Sequence, residues 1–212
     1  MNEKTPKIIA GVATIAFPLL LLTGFILHPH LLSPHLTITA EDLVAKFRHN
    51  PAFHVGHLIV FAAVPFIILS VAYVTASLKA AGRTYGIVGG AVAVIGAVIL
   101  AGDKGALCIV LSAFDTLNDS DFESIRPALQ AIVERRGLLV IFWALPLLPL
   151  GAIIQMVGMM KEGMVSRTSG IVAIVGLALL NNPDIDIVSS AGALLMCLTY
   201  VPLGARIAAG RA

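Results

Sequence analysis

Six histidines occur in the chain, His28, His30, His35, His49, His54 and His57, and all lie in one polar stretch between two long apolar runs. Imidazole binds transition metals through a neutral ring nitrogen and exchanges protons near neutral pH. His54 and His57 are three residues apart, so on a helix they share a face and can bracket one ligand. Imidazoles combined with carboxylates suit zinc, copper or iron. The two cysteines, Cys108 and Cys197, have no CxxC-type spacing and read as small packing residues, which argues against a thiolate centre. The metal-ligand candidates are therefore His28, His30, His54 and His57, for a transition metal or haem. His35 and His49 read as loop and surface positions. Asp103 is the candidate catalytic acid or base, acting as proton acceptor or orienting a ligand. For the histidines, the competing reading is hydrogen bonding to water, lipid or backbone at headgroup level. For Asp103 it is a hydrogen-bonded link between helices.

The elements that position these groups follow from composition. The chain of 212 residues is 58% hydrophobic and 12% charged, where soluble domains are about 25% charged. Its mean hydropathy is +0.96. A helix needs about 20 apolar residues to cross a bilayer. The runs predict an all-α polytopic membrane bundle of six transmembrane helices, one domain over 1–212, with spans at about 8–27, 55–78, 85–111, 138–160, 168–182 and 187–206. The first run is too long for a signal-peptide core and has no small-residue cleavage site. Pro18, Pro65, Pro146 and Pro149 predict kinks within spans. The fifth run is short for a full crossing, so the turn 181–186 is expected to dip into the bilayer.

The two large loops are read as carrying short amphipathic helices on the membrane surface. One begins at a capping box, Thr39 to Asp42, with Leu43, Val44 and Phe47 on its apolar face. The other starts at Ser120 with Glu123 three residues on, and carries Phe122, Ile125, Leu129 and Ile132; Pro127 kinks or restarts it. Gly89, Ala93, Ala97 and Ala101 recur every four residues, marking the third span as a central packing helix.

Lys4, Lys7, Lys79, Arg83, Lys161, Arg167, Arg206 and Arg211 fall on one side if both termini are cytoplasmic, as the positive-inside rule requires. Tyr73, Tyr85 and Tyr200 then form an inner aromatic belt. The histidines, Asp103, Lys104, Asp184 and Asp186 gather at the opposite, extracytoplasmic face. There Asp103 points into the bundle as the expected partner of the histidines, Lys104 snorkels outward, and Asp184 or Asp186 caps a helix.

Three functions fit: a metal or haem site acting on a lipid-soluble small molecule, a small proton-coupled transporter, or an accessory bundle for a partner membrane subunit. The partners expected are the lipid bilayer of the cell membrane and one of these. Nucleic acid is excluded, because no basic tract or aromatic ladder exists. An HExxH zinc-protease helix is absent, and no histidine lies deep in a span as a serine-type intramembrane protease requires.

Overall fold

The computed structural model describes residues 4–28, 37–182 and 185–211, with the side chains of 107 and 108 excepted. His30, His35 and Asp184, and the side chain of Cys108, lie outside the described residues. Among those described the chain is helical, without strands. α1 is Lys4–Ile26, α2 Ala40–Phe47, α3 Pro51–Ser77, α4 Arg83–Phe114, α5 Asp119–Ser124, α6 Arg126–Val133, α7 Leu147–Lys161, α8 Arg167–Leu179 and α9 Asp186–Ala208. A 3-10 turn, Ala80–Gly82, precedes α4, and a 3-10 segment, Gly137–Ala144, precedes α7.

Among the described residues, five segments are long and apolar enough to cross a membrane: Lys4–Ile26, Pro51–Ser77, Ala80–Phe114, Arg126–Lys161 and Asp186–Ala208. Their outward residues are apolar, as at Leu58, Val98 and Leu198, each more than half exposed. In water such a surface would aggregate; in lipid it is a solvent-matched face. The sixth expected span, α8, has 13 residues, about 20 Å at 1.5 Å per residue, shorter than the roughly 30 Å hydrocarbon core.

Small residues let the helices meet. A Cβ on Gly151 of α7 would fall 2.2 Å from the Ala93 amide nitrogen of α4, so the two backbones touch there and no larger residue fits. Ala93 and Ala97 are fully buried, in keeping with the small-residue stripe read from the sequence. α4 does not end at residue 111, however. It continues unbroken to Phe114, 32 residues or about 48 Å, and its last turn carries Leu111 beyond the bundle's main core.

Around that projection a second core forms. Leu111 of α4 and Phe53 of α3 pack with Ala40, Leu43 and Phe47 of α2, Phe122 of α5 and Leu129 of α6. Phe47 and Leu129 are completely buried. The short helices thus do not lie separately on a membrane surface; they close over each other as a cap on one end of the bundle. Their apolar faces find a protein partner in the exposed end of α4, which the sequence reading had ended at residue 111. The Thr39 capping box is present: Thr39 Oγ1 accepts from the Asp42 amide (3.2 Å) and Asp42 Oδ2 from the Thr39 amide (2.9 Å). α5 is capped by Asn118 rather than Ser120, its Oδ1 accepting from the Asp121 amide at 3.0 Å. Pro127 sits in the first turn of α6, where a missing N–H costs nothing, so it restarts the helix.

The expected continuous helix over 138–160 is broken for a definite reason. Pro146 and Pro149 lack the N–H groups that would reach the Phe142 and Leu145 carbonyls. Those oxygens are taken instead by Leu145 N (3.2 Å) and Leu148 N (3.1 Å), the i→i+3 pattern of a 3-10 helix. Arg135 also donates to the Phe142 carbonyl (3.0 Å). Tyr200 is not part of an interfacial belt: it is 5% exposed and packs edge-on against Phe17, ring centres 4.9 Å apart. Tyr85 does carry interfacial character, its hydroxyl accepting from Lys161 Nζ at 2.9 Å.

Two outcomes are expected. Gly151→Val should destabilise the bundle by about 1–3 kcal/mol through overpacking, read as a lower midpoint of thermal unfolding in detergent, whereas Gly163→Val, in open space but at positive φ, should leave the α4–α7 contact intact. Backbone amides of Ile38 and Thr39 hold the Asp42 carboxyl below its ordinary value of 3.8. The stability it contributes is therefore complete above pH 3.8 and lost as pH falls through the lower folded value. Hydrogen exchange of α2 should accelerate in that acid window, and Asp42→Asn should remove the step.

Candidate functional site

The end of α1, the start of α3, the C-terminal half of α4 and the start of α9 meet beneath the cap. α1 and α3 approach closely enough to bring their histidines together because both are glycine at the crossing: a Cβ on Gly56 would fall 2.8 Å from the Gly24 carbonyl oxygen. His28, just past α1, then lies face to face with His57 of α3, ring centres 4.6 Å apart and planes 13° from parallel. Phe53 flanks His57 at 4.2 Å and His28 at 5.8 Å, and Phe25 meets His28 edge-on.

Each imidazole has one nitrogen committed. His28 Nδ1–H donates to Asp186 Oδ1 at 2.7 Å, a short charge-assisted bond joining the end of α1 to the start of α9. His57 Nδ1–H donates to the Phe53 carbonyl at 2.9 Å. These acceptors leave the Nε2 lone pair of each ring as its free function. His28 Nε2 is enclosed by protein and has no hydrogen-bond partner among the described residues.

A second imidazole–carboxylate pair stands nearer the cap. His54 Nε2–H donates to Asp115 Oδ2 at 3.2 Å, and His54 Nδ1 is likewise enclosed without a partner. Asp115 follows the last turn of α4, and its Oδ1 also accepts the His49 amide at 2.8 Å. His49 adopts φ of +54°, and its imidazole is exposed. Arg48 binds the same corner, donating to the Phe114 and Leu117 carbonyls (3.2 and 2.8 Å) with its guanidinium over the Phe122 ring at 4.0 Å.

Of the sequence-level candidates, His28 and His57 come together, with His54 one turn away. His30 lies outside the described residues. Asp103 is buried, 3% exposed, as its face on α4 implied, but its partner is Lys104 Nζ at 3.2 Å and not an imidazole. Lys104 therefore folds back instead of snorkelling outward, its side chain 17% exposed. A carboxylate withdrawn from water takes the nearest cation, even an adjacent one. The charge of Lys104 also acts on His57. Asp186, read with Asp184 as a possible capping residue, makes no cap bond; the N-cap position of α9 is Ile185, without a side-chain cap, and the Asp186 carboxylate serves His28. Asp115 and Arg48 were missed. The only sequence signal for Asp115 is its place at the end of the apolar run that extends α4.

Among the described residues, no group of three or more histidine, cysteine, aspartate or glutamate side chains is placed to share one metal ion. The arrangement does define a class: a multi-helix bundle of membrane-spanning length with half-buried imidazole–carboxylate pairs under a cap. Comparison with known proteins finds no family model, no curated protein and no solved structure that matches the chain.

Asp186→Ala should leave the half-buried His28 N–H without an acceptor and cost about 1–3 kcal/mol. His49→Asn, which keeps a residue tolerant of positive φ and removes only an exposed ring, should stay within about 0.5 kcal/mol. Unfolding midpoints of the two variants in the same detergent check this.

Proposed function

We propose that the chain is a multi-pass protein of the cell membrane with six crossings, both termini cytoplasmic and the cap outside, working as a small proton-coupled carrier. Its outer site takes up one proton at the His28–His57 pair. The bond between His28 and Asp186, with His57 stacked on the same ring, carries this reading. One imidazolium beside the Asp186 carboxylate is compensated. A second, stacked 4.6 Å away, would meet like charge with little water between. The groups that bear on the pair are Asp186 from α9, His54 on α3, and Lys104 with Asp103 on α4. The orientation is supported by the uncapped end, where α1 begins at Lys4, α4 at Arg83 and α8 at Arg167, and α7 ends at Lys161. Six crossings require α8 to serve as the fifth, with the turn after it dipping below the surface.

In proteoliposomes, nitrogen-15 magnetic resonance of the ring nitrogens should record one proton taken up by the pair as the medium is acidified, and Asp186→Asn should suppress it. Two protons bound independently, or none, would overturn the reading.

A second reading, a transition-metal or haem site, is favoured by one observation. His28 and His57 each donate one N–H to an oxygen acceptor, as metal-bound histidines do. Metal analysis and an absorption spectrum of protein purified without a histidine tag decide it: stoichiometric metal or a haem band that disappears in His28→Gln would support it, and substoichiometric metal with a flat spectrum would end it.

A further inference from the structure

Among the described residues nothing covers the outward face of the 3-10 segment Gly137–Ala144. Leu138 is 91% and Trp143 67% exposed, and Val140 and Ile141 more than half. The long apolar segment that contains them is the least covered of the five, 17% of its most apolar stretch being buried against 56% for Asp186–Ala208. Its depth is fixed by length. The 15 residues of α7 rise about 22 Å and the 8 of the 3-10 segment about 16 Å, which together approach the roughly 40–45 Å of a bilayer with its headgroups. Lys161 and Tyr85 stand at one end of that path, so Arg135 stands at the headgroup level of the opposite leaflet.

An uncompensated cation is held at this end of the face. Arg135 takes the left-handed place after α6, φ +52°, one that glycine or asparagine usually fills. Its guanidinium donates to the Phe142 carbonyl (3.0 Å) and lies over the Trp143 ring, 4.7 Å from its centre. Of the five N–H groups of a guanidinium, the Phe142 carbonyl engages one. Arg135 is half-buried and forms no ion pair among the described residues, whereas its neighbour Arg136 is paired with Glu134. The patch therefore carries a positive charge beside an apolar strip.

We propose that this face binds a phospholipid of net negative headgroup charge, its phosphate on the Arg135 guanidinium and its acyl chains along Val140, Ile141 and Trp143. Charge complementarity selects the lipid. Two phosphate oxygens match the planar fork of a guanidinium. A zwitterionic headgroup brings its own cation beside the phosphate, and an uncharged lipid brings no anion. Stacking on Trp143 and the bond to Phe142 hold the guanidinium in place before the lipid arrives, so little side-chain freedom is lost on binding. Only a bilayer around the bundle is required, whatever the histidines do.

Trp143 is the only tryptophan in the chain, so quenching of its fluorescence by brominated lipid reports occupancy of this face. The protein is reconstituted in phosphatidylcholine vesicles containing graded fractions of dibromo-phosphatidylglycerol or of dibromo-phosphatidylcholine with the same chains. The anionic lipid should bind about fivefold more tightly than the zwitterionic one, the preference one basic residue confers at an anionic surface. Arg135→Asn, which keeps a residue tolerant of positive φ, should bring the ratio to about one. Joint replacement of Glu134→Gln and Arg136→Gln, which removes a neutral pair, should leave it unchanged. If Arg135→Asn does not fold, Arg135→Lys decides: it keeps the charge but loses the fork, and the ratio should fall to about twofold. Equal quenching by the two lipids, quenching by neither because protein covers Trp143, or a full preference that survives replacement of Arg135 would each overturn the proposal.

Discussion

The bundle depends on how closely its helix backbones can approach. In lipid, apolar side chains gain nothing by leaving the solvent, so association rests on dispersion contact and polar bonds, both steep in distance. Four helix pairs have a position where a single extra carbon would collide with the opposite backbone. Gly11 faces Gly204 between α1 and α9, Gly24 faces Gly56 between α1 and α3, Gly151 faces Ala93 between α7 and α4, and Gly176 faces Gly192 between α8 and α9. The histidine pair is a by-product of one such crossing. Without it the rings of His28 and His57 would stand apart, and Asp186 would face a different group.

Two solvents shape the two cores. Within the bundle, polar groups are few and nearly all bonded in place, as Thr14, Ser70 and Gln155 are. The cap obeys the rules of a water-soluble miniature domain: side-chain helix caps, amphipathic two-turn helices and exposed ion pairs such as Arg126 with Glu41 and Glu123. The imidazole–carboxylate pairs occupy the boundary, where a charge is partly withdrawn from water yet still within reach of it.

Much of this was legible in the residues. Length and apolarity give the long helices; the four-residue stripe from Gly89 to Ala101 gives the central one; Thr39 and Asp42 give the start of α2. Convergence of His28, His54 and His57 at one end also follows from alternating helix direction. The pairing partners did not follow, for a physical reason. Which carboxylate reaches which ring depends on helix phase and tilt to within an ångström, and Asp103, Asp115 and Asp186 are all near the correct depth. Nor did the end of α4 announce itself, because Asp103 and Lys104 look like a boundary when their mutual pairing is unknown. The 3-10 segment was half-readable: the prolines were seen, but whether they bend a helix or rewind it depends on who takes the freed carbonyls, here Leu145, Leu148 and Arg135.

The length of α4 gives the molecule a lever arm. It is clamped to α7 at Gly96, where a Cβ would fall 2.1 Å from the Leu148 amide nitrogen, and it runs another 18 residues to Phe114 without a break that could absorb motion. At 1.5 Å per residue, a tilt of about 5° about that fulcrum carries the far end through roughly 2 Å. That displacement exceeds the tolerance of a hydrogen bond, so the bonds of Asp115 to His54 and His49 hold only while α4 keeps its angle at that fulcrum.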